Sequence, residues 1–127
     1  MAAIEELAFL VRRFSNSGAF FVIWKWGIIM KLLITGSRSI SDFDLSPYIP
    51  EGVDLILSGG AKGVDTLAEK YADANEISKV ILKGKEELRL IAVCDEALII
   101  WDGKSSGTES VLRELITAEK PYSIVHI

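Results

Sequence analysis

From Met30 onward, unbroken apolar runs alternate with stretches whose apolar residues recur at helical spacing. Lys31–Thr35 predicts a strand that ends at Gly36. Ser41 and Asp42 are placed to cap a short helix over Phe43–Tyr48, closed by Pro47, Pro50 and Gly52. Val53–Leu57 predicts a second strand, running into Ser58-Gly59-Gly60. Val64, Leu67, Ala68, Tyr71 and Ala72 then fall at i, i+3, i+4, i+7 and i+8, one face of an amphipathic helix. Lys79–Leu82 reads as a third strand, and Glu86–Cys94 as a helix with Leu88, Ile91 and Ala92 inward. Ala97–Trp101 is a fourth strand, and Thr108–Glu119 a helix with Val111, Leu112, Leu115 and Ile116 on one face. Lys120-Pro121 stops that helix and Tyr122–Val125 makes a last strand. Strands alternating with helices imply parallel pairing through right-handed crossovers. The expected fold is α/β, a Rossmann-like three-layer domain with a mainly parallel sheet of about five strands.

The first thirty residues read differently. Ile4, Leu7, Ala8 and Val11 lie at helical spacing, and Ser15-Asn16-Ser17-Gly18 breaks the pattern. Ala19–Ile29 is apolar but interrupted by Lys25. That run is shorter than the roughly 20 residues that span a bilayer, and no small-residue cleavage site follows it. Residues 1–29 are therefore expected to be an appendage, with Met30 as the natural start and 30–127 as the domain. The rival reading, an extra helix and strand packed on the domain, weighs equally. Phe20–Ile29, if ordered, needs cover, so a homodimer is expected.

Composition narrows the function. The chain has 127 residues, a one-domain length, and 50% of them are hydrophobic, with a mean hydropathy of +0.32. Such richness suits a parallel sheet covered on both faces. The net charge of −4 argues against a broad nucleic-acid surface, but leaves room for a few cations focused on one anionic ligand. Cys94 is the only cysteine and His126 the only histidine. An intrachain disulfide and a cysteine zinc cage are thereby excluded, and histidine metal sites and Ser-His-Asp triads nearly so. No metal, no cofactor and no membrane partner is expected, and the expected location is cytoplasmic.

Candidate chemistry gathers in three loops that follow three strands: Gly36-Ser37-Arg38-Ser39, Gly59-Gly60-Ala61-Lys62-Gly63, and Asp102-Gly103-Lys104-Ser105-Ser106-Gly107-Thr108. In a parallel sheet all three lie on the carboxyl edge, where ligands bind. The second loop leaves a strand and enters a helix, so its backbone N–H groups can crowd together and, with the helix dipole, hold a phosphate. Lys62 adds charge and Arg38 offers a bidentate fork. The bland reading of each loop is a tight turn; three on one edge favour a phosphate site. Asp65 is either a carboxylate favoured by the helix dipole or an acceptor for ribose hydroxyls. Asp102 is either a turn former or a ligand contact. Thr108 reads as an N-cap. Trp101 reads as a core aromatic before a base-stacking one, Trp24 and Trp26 as packing, Cys94 as a small core residue and His126 as inert. The first loop lacks G-x-G-x-x-G, and Gly103-Lys104-Ser105 lacks the upstream glycine of a Walker A loop, so dehydrogenase and NTPase readings lose ground.

The segments K-L-L-I-T-G-S-R-S-I (31–40), S-G-G-A-K-G-V-D (58–65) and W-D-G-K-S-S-G-T (101–108) resemble the YspA-like branch of the SLOG superfamily. That superfamily also holds the Lonely Guy phosphoribohydrolases and the Rossmann-like part of the DNA-processing protein DprA. The resemblance covers residues 30–127 and implies a modified Rossmann fold binding nucleotides or nucleotide-derived ligands in a bacterial or phage cytoplasm. The implied ligand-binding set is Gly36, Ser37, Arg38, Ser39, Ser58, Gly59, Gly60, Lys62, Gly63, Asp65, Asp102, Gly103, Gly107 and Thr108. Two departures stand out. The glutamate that Lonely Guy enzymes carry three residues past the threonine is Val111 here, and Glu109 is rotated away from its place. The segment before the fourth strand is short, with Arg89 alone to stand for a family arginine. No catalytic residue is assigned.

Three functions follow in order of preference. The first is a nucleotide-binding sensor or ligand-handling module. The second is a hydrolase of the base–ribose bond of a nucleoside monophosphate, with Asp65 or Asp102 as its carboxylate. The third is a DprA-like nucleic-acid accessory protein, disfavoured by the acidic balance.

Overall fold

The computed structural model describes the backbone of two N-terminal strands, β1 (Phe9–Phe14) and β2 (Ala19–Trp24), and both backbone and side chains of residues 29–127. β1 and β2 pair antiparallel as a two-stranded sheet, from Phe9 opposite Trp24 to Phe14 opposite Ala19. The helical spacing read through Val11 therefore meets a strand. Residues 1–8, and the side chains of the apolar run as far as residue 28, lie outside the described residues, and with them the appendage and homodimer expectations.

The remaining elements are β3 (Lys31–Gly36), β4 (Leu55–Ser58), α1 (Val64–Ala74), β5 (Ser78–Ile81), α2 (Glu87–Val93), β6 (Glu96–Trp101), α3 (Ser106–Thr117) and β7 (Tyr122–His126). The five strands from β3 on form one all-parallel sheet in the order β5-β4-β3-β6-β7. The chain winds outward from β3 through β4 to β5, then crosses back over β3 to add β6 and β7. The expected Rossmann-like α/β architecture is the observed one.

The central strands bury both faces, and successive residues alternate between them. Leu32, Ile34, Ile56, Leu98 and Ile100 face one side and pack with Val64, Ala68 and Ala72 of α1. Leu33, Leu57, Ala97 and Ile99 face the other and pack with Leu90 and Ile91 of α2 and Val111 and Leu115 of α3. These two apolar layers, one on each face, make the sheet the middle of three layers.

Several local expectations are corrected. No α-helix spans Phe43–Tyr48; only Ser46–Tyr48 forms a single 3-10 turn. Asp44 Oδ1 accepts the Ser46 N–H at 3.0 Å, an Asx turn that competes with helix, and Pro47 supplies no donor. α2 buries Leu90 and Ile91, and Cys94 just past its end, whereas Leu88 and Ala92 are exposed: the inward face is the i, i+1, i+4 set Leu90, Ile91 and Cys94. α3 buries Val111 and Leu115, with Leu112 half-buried and Ile116 exposed. Its N-cap is Ser105; Thr108 is the third helical residue and is buried.

Candidate functional site

Between β3 and β6 the strand order reverses, and in doubly wound sheets the carboxyl ends flanking such a reversal open a crevice. A cleft of about 530 Å³ lies there. Thr35, Gly36, Arg38 and Ser39 line it from the end of β3, and Ala61 and Asp65 from the entry to α1. Glu87 lines it from the first residue of α2, with Asp102 and Ser105 from the loop after β6 and Ser106–Thr108 and Val111 from α3.

Backbone close approach builds the floor. A Cβ on Gly36 would run into the carbonyl oxygen of Ile100 and lie 2.7 Å from Val64 Cγ2. Gly63 has φ +71°, and a Cβ there would run into Ser37 O and lie 2.6 Å from Arg38 O. These two glycines let the β3 loop, the start of α1 and the end of β6 pack backbone to backbone. Hydrogen bonds fasten the contact: Val64 N–H donates to Ser37 O at 3.3 Å, and Ser37 N–H to Ile100 O at 3.0 Å.

The loop at Gly59–Gly63 uses two of its donors internally. Gly60 N–H donates to Ser58 Oγ at 3.2 Å and Ala61 N–H to Asp65 Oδ2 at 3.0 Å. Ser58, Gly59, Gly60, Lys62 and Gly63 do not line the cleft, and the Lys62 side chain is exposed. Gly60, at φ +72°, sits against Lys83 and Ile81. The helix N-terminus that opens on the cleft is that of α3. Its first internally satisfied N–H is that of Glu109, donating to Ser105 O at 3.1 Å, and no side chain caps it. The N–H groups of Ser106, Gly107 and Thr108 therefore have no acceptor among the described residues, and they carry the positive end of a twelve-residue helix.

Asp102 holds that terminus in position. Its Oδ1 accepts from Lys104 N–H at 2.8 Å, Ser105 N–H at 3.0 Å and Ser105 Oγ at 3.2 Å, and its Oδ2 accepts from Ser39 Oγ at 3.0 Å. These donors, the Lys104 N–H foremost, hold its carboxyl well below the usual carboxylate range. With both oxygens occupied, Asp102 is the brace of the loop. Ser37, fully buried and outside the cleft wall, accepts the Asp102 N–H on its Oγ. Gly103 lies apart from the cleft, beside His126.

Asp65 is different. It is 3% exposed, and its Oδ1 is buried without a hydrogen-bond partner. Burial above all pushes its carboxyl up to about 6; the Ala61 N–H opposes this, and Glu87 and Glu69 reinforce it. Glu87 stands beside it: a Cβ built on Gly59 would lie 2.5 Å from Glu87 Oε2 and 3.0 Å from Asp65 Oδ2. Burial raises Glu87 as well, with the nearby Arg38 guanidinium opposing. Sequence reasoning missed Glu87, since a glutamate at a helix start reads as a dipole-favoured residue. Arg89, offered as a family arginine, is exposed on α2 and pairs with Glu86 at 2.7 Å, outside the cleft.

Other assignments are plain in the structure. Trp101 is half-buried against the core, its Nε1–H donating to Ser105 O at 3.2 Å. Cys94 is fully buried, and burial pushes its thiol up, away from nucleophilic reactivity. No helix among the described residues is long and apolar enough to cross a membrane. The chain matches no family model, no curated protein and no solved structure. The fold and the cleft define its class, a Rossmann-like α/β domain with a polar crevice at the reversal of strand order.

Proposed function

We propose that this protein binds a nucleotide, or a phosphate-bearing derivative of one, in the cleft at the carboxyl ends of β3 and β6. It would act as a sensor or ligand-handling module of the cytoplasm, within the YspA-like branch of the SLOG superfamily. One observation carries the reading. The uncapped N–H groups of Ser106–Thr108 and the exposed side chain of Arg38 converge on a single cleft, a pairing of helix dipole and guanidinium that suits an anion. Ser39 and Ser105, already ordered by Asp102, border the same space. The volume of about 530 Å³ lies in the range of small-molecule sites. The resemblance of residues 31–40, 58–65 and 101–108 to the superfamily motifs supports a nucleotide over other phosphates.

The test is incubation of the full chain with AMP at millimolar concentration, separation of bound from free, and chromatography of the bound fraction. AMP is expected to be retained and recovered intact. Release of free adenine would replace this reading with an N-glycosidic hydrolase, and no retention of AMP or of any other purine nucleotide would overturn it.

A further inference from the structure

We propose that Asp65 and Glu87 form the sugar subsite of this cleft, accepting hydrogen bonds from the vicinal 2′ and 3′ hydroxyls of a ribose. The protein would thereby select ribonucleotides over 2′-deoxyribonucleotides. The inference rests on the nucleotide reading above and names the ligand class within it.

Three observations support the assignment. First, Asp65 Oδ1 is a buried acceptor with no partner, in a residue only 3% exposed, on the wall of the cleft. Buried polar atoms are rarely left so, and an unmet acceptor of this kind fits a site completed by a ligand's donor. Second, Glu87 brings another carboxylate to the same spot, over the bare Cα of Gly59. Two ionised carboxylates are acceptor-only and repel phosphate, so an anionic ligand must turn its phosphate toward α3 and Arg38 and its donors toward this pair. A diol offers two adjacent donors for two adjacent acceptors. Third, the pair suits neutral donors better than a cation. Arg38 lines the same cleft as both carboxylates and favours their ionised forms, so a divalent ion would share this space with a fixed positive charge. No group of three acidic, histidine or cysteine side chains suited to a metal occurs among the described residues.

The experiment is calorimetric titration of the full chain with AMP, 2′-deoxy-AMP and ribose 5-phosphate, repeated on Asp65→Asn and Glu87→Ala. In Asp65→Asn the Ala61 N–H retains the amide oxygen, so the atom at the Oδ1 position becomes a donor. Glu87→Ala removes the second acceptor from a half-buried helix start and keeps the assignment testable if Asp65→Asn does not fold. The parent is expected to bind AMP about tenfold or more tighter than 2′-deoxy-AMP, and each variant to lose that preference. Equal binding of AMP and 2′-deoxy-AMP by the parent overturns the sugar subsite and leaves the nucleotide reading standing. A ribose preference that survives both substitutions overturns the assignment to these residues. Stabilisation of the parent by Mg²⁺ alone, lost in Asp65→Asn, overturns it in favour of a cation. No binding of any of the three compounds removes the nucleotide reading, and the subsite with it.

Discussion

The Asp102 N–H donates to Ser37 Oγ at 2.9 Å, tying the residue after β6 to the residue after β3 across the reversal of strand order. Ser37 is fully buried, and its hydroxyl oxygen is engaged in this link between the two loops. Ser37→Ala leaves that donor without its acceptor and is expected to cost about 1–3 kcal/mol. Chemical denaturation checks this; a variant as stable as the parent contradicts it.

The glycines in and around the cleft separate into two kinds. Gly63 sits at φ +71° with backbone atoms of Ser37 and Arg38 where a Cβ would go. Gly63→Ala is expected to destabilise by about 2 kcal/mol or more, from strain and overlap together. Gly107, inside the first turn of α3, has nothing within 4 Å of a built Cβ. Gly107→Ala is expected to stabilise by about 0.5–1 kcal/mol. Thermal unfolding of the two variants, which should shift in opposite directions, is the measurement.

Asp65 makes stability depend on pH in a defined sense. Its carboxyl is raised from an ordinary 3.8 to about 6 in the folded protein, so between these values the folded state binds more protons than the unfolded. Stability contributed by this group is therefore greatest below about pH 4 and is lost as pH rises through 6. The full shift corresponds to an upper bound of about 3 kcal/mol. Glu87 and Glu96 are raised too, by burial, and contribute with the same sign. The difference between the parent and Asp65→Asn, measured by urea denaturation from pH 4 to 7.5, isolates Asp65. A difference that does not vary with pH contradicts the burial argument.

Much of the fold was legible because buried parallel strands have few ways to be written. Leu32–Ile34 and Ala97–Ile100 are apolar without interruption; Gly36 closes the first of these strands and Asp102 follows the second. The structure departs from the periodicity at Asp44-Ser46, where a local hydrogen bond competes with helix, and at α2, whose seven residues make under two turns and leave the inward face weakly specified. The site was legible in part. Gly36, Arg38, Ser39, Asp65, Asp102, Gly107 and Thr108 were all named from the loops and do line the cleft. In the Gly59–Gly63 loop, where a phosphate nest was expected, Ser58 and Asp65 take up the N–H groups of Gly60 and Ala61, whereas the first N–H groups of α3 have no acceptor among the described residues. Which donors are spent internally is a matter of side-chain placement that spacing does not reveal. Glu87 was hidden for a related reason: its position over Gly59 depends on how α2 crosses the sheet.

The central claim is that this cleft holds a phosphate through Arg38 and the start of α3. Isothermal titration of the parent and of Arg38→Ala with AMP and with adenosine tests it most directly. AMP is expected to bind the parent and adenosine to bind it weakly or not at all. Arg38→Ala, an exposed residue whose loss leaves the core intact, is expected to weaken AMP about ten- to hundredfold, the value of one charge-assisted contact. Adenosine bound as tightly as AMP, or AMP bound equally by Arg38→Ala and the parent, would contradict the account.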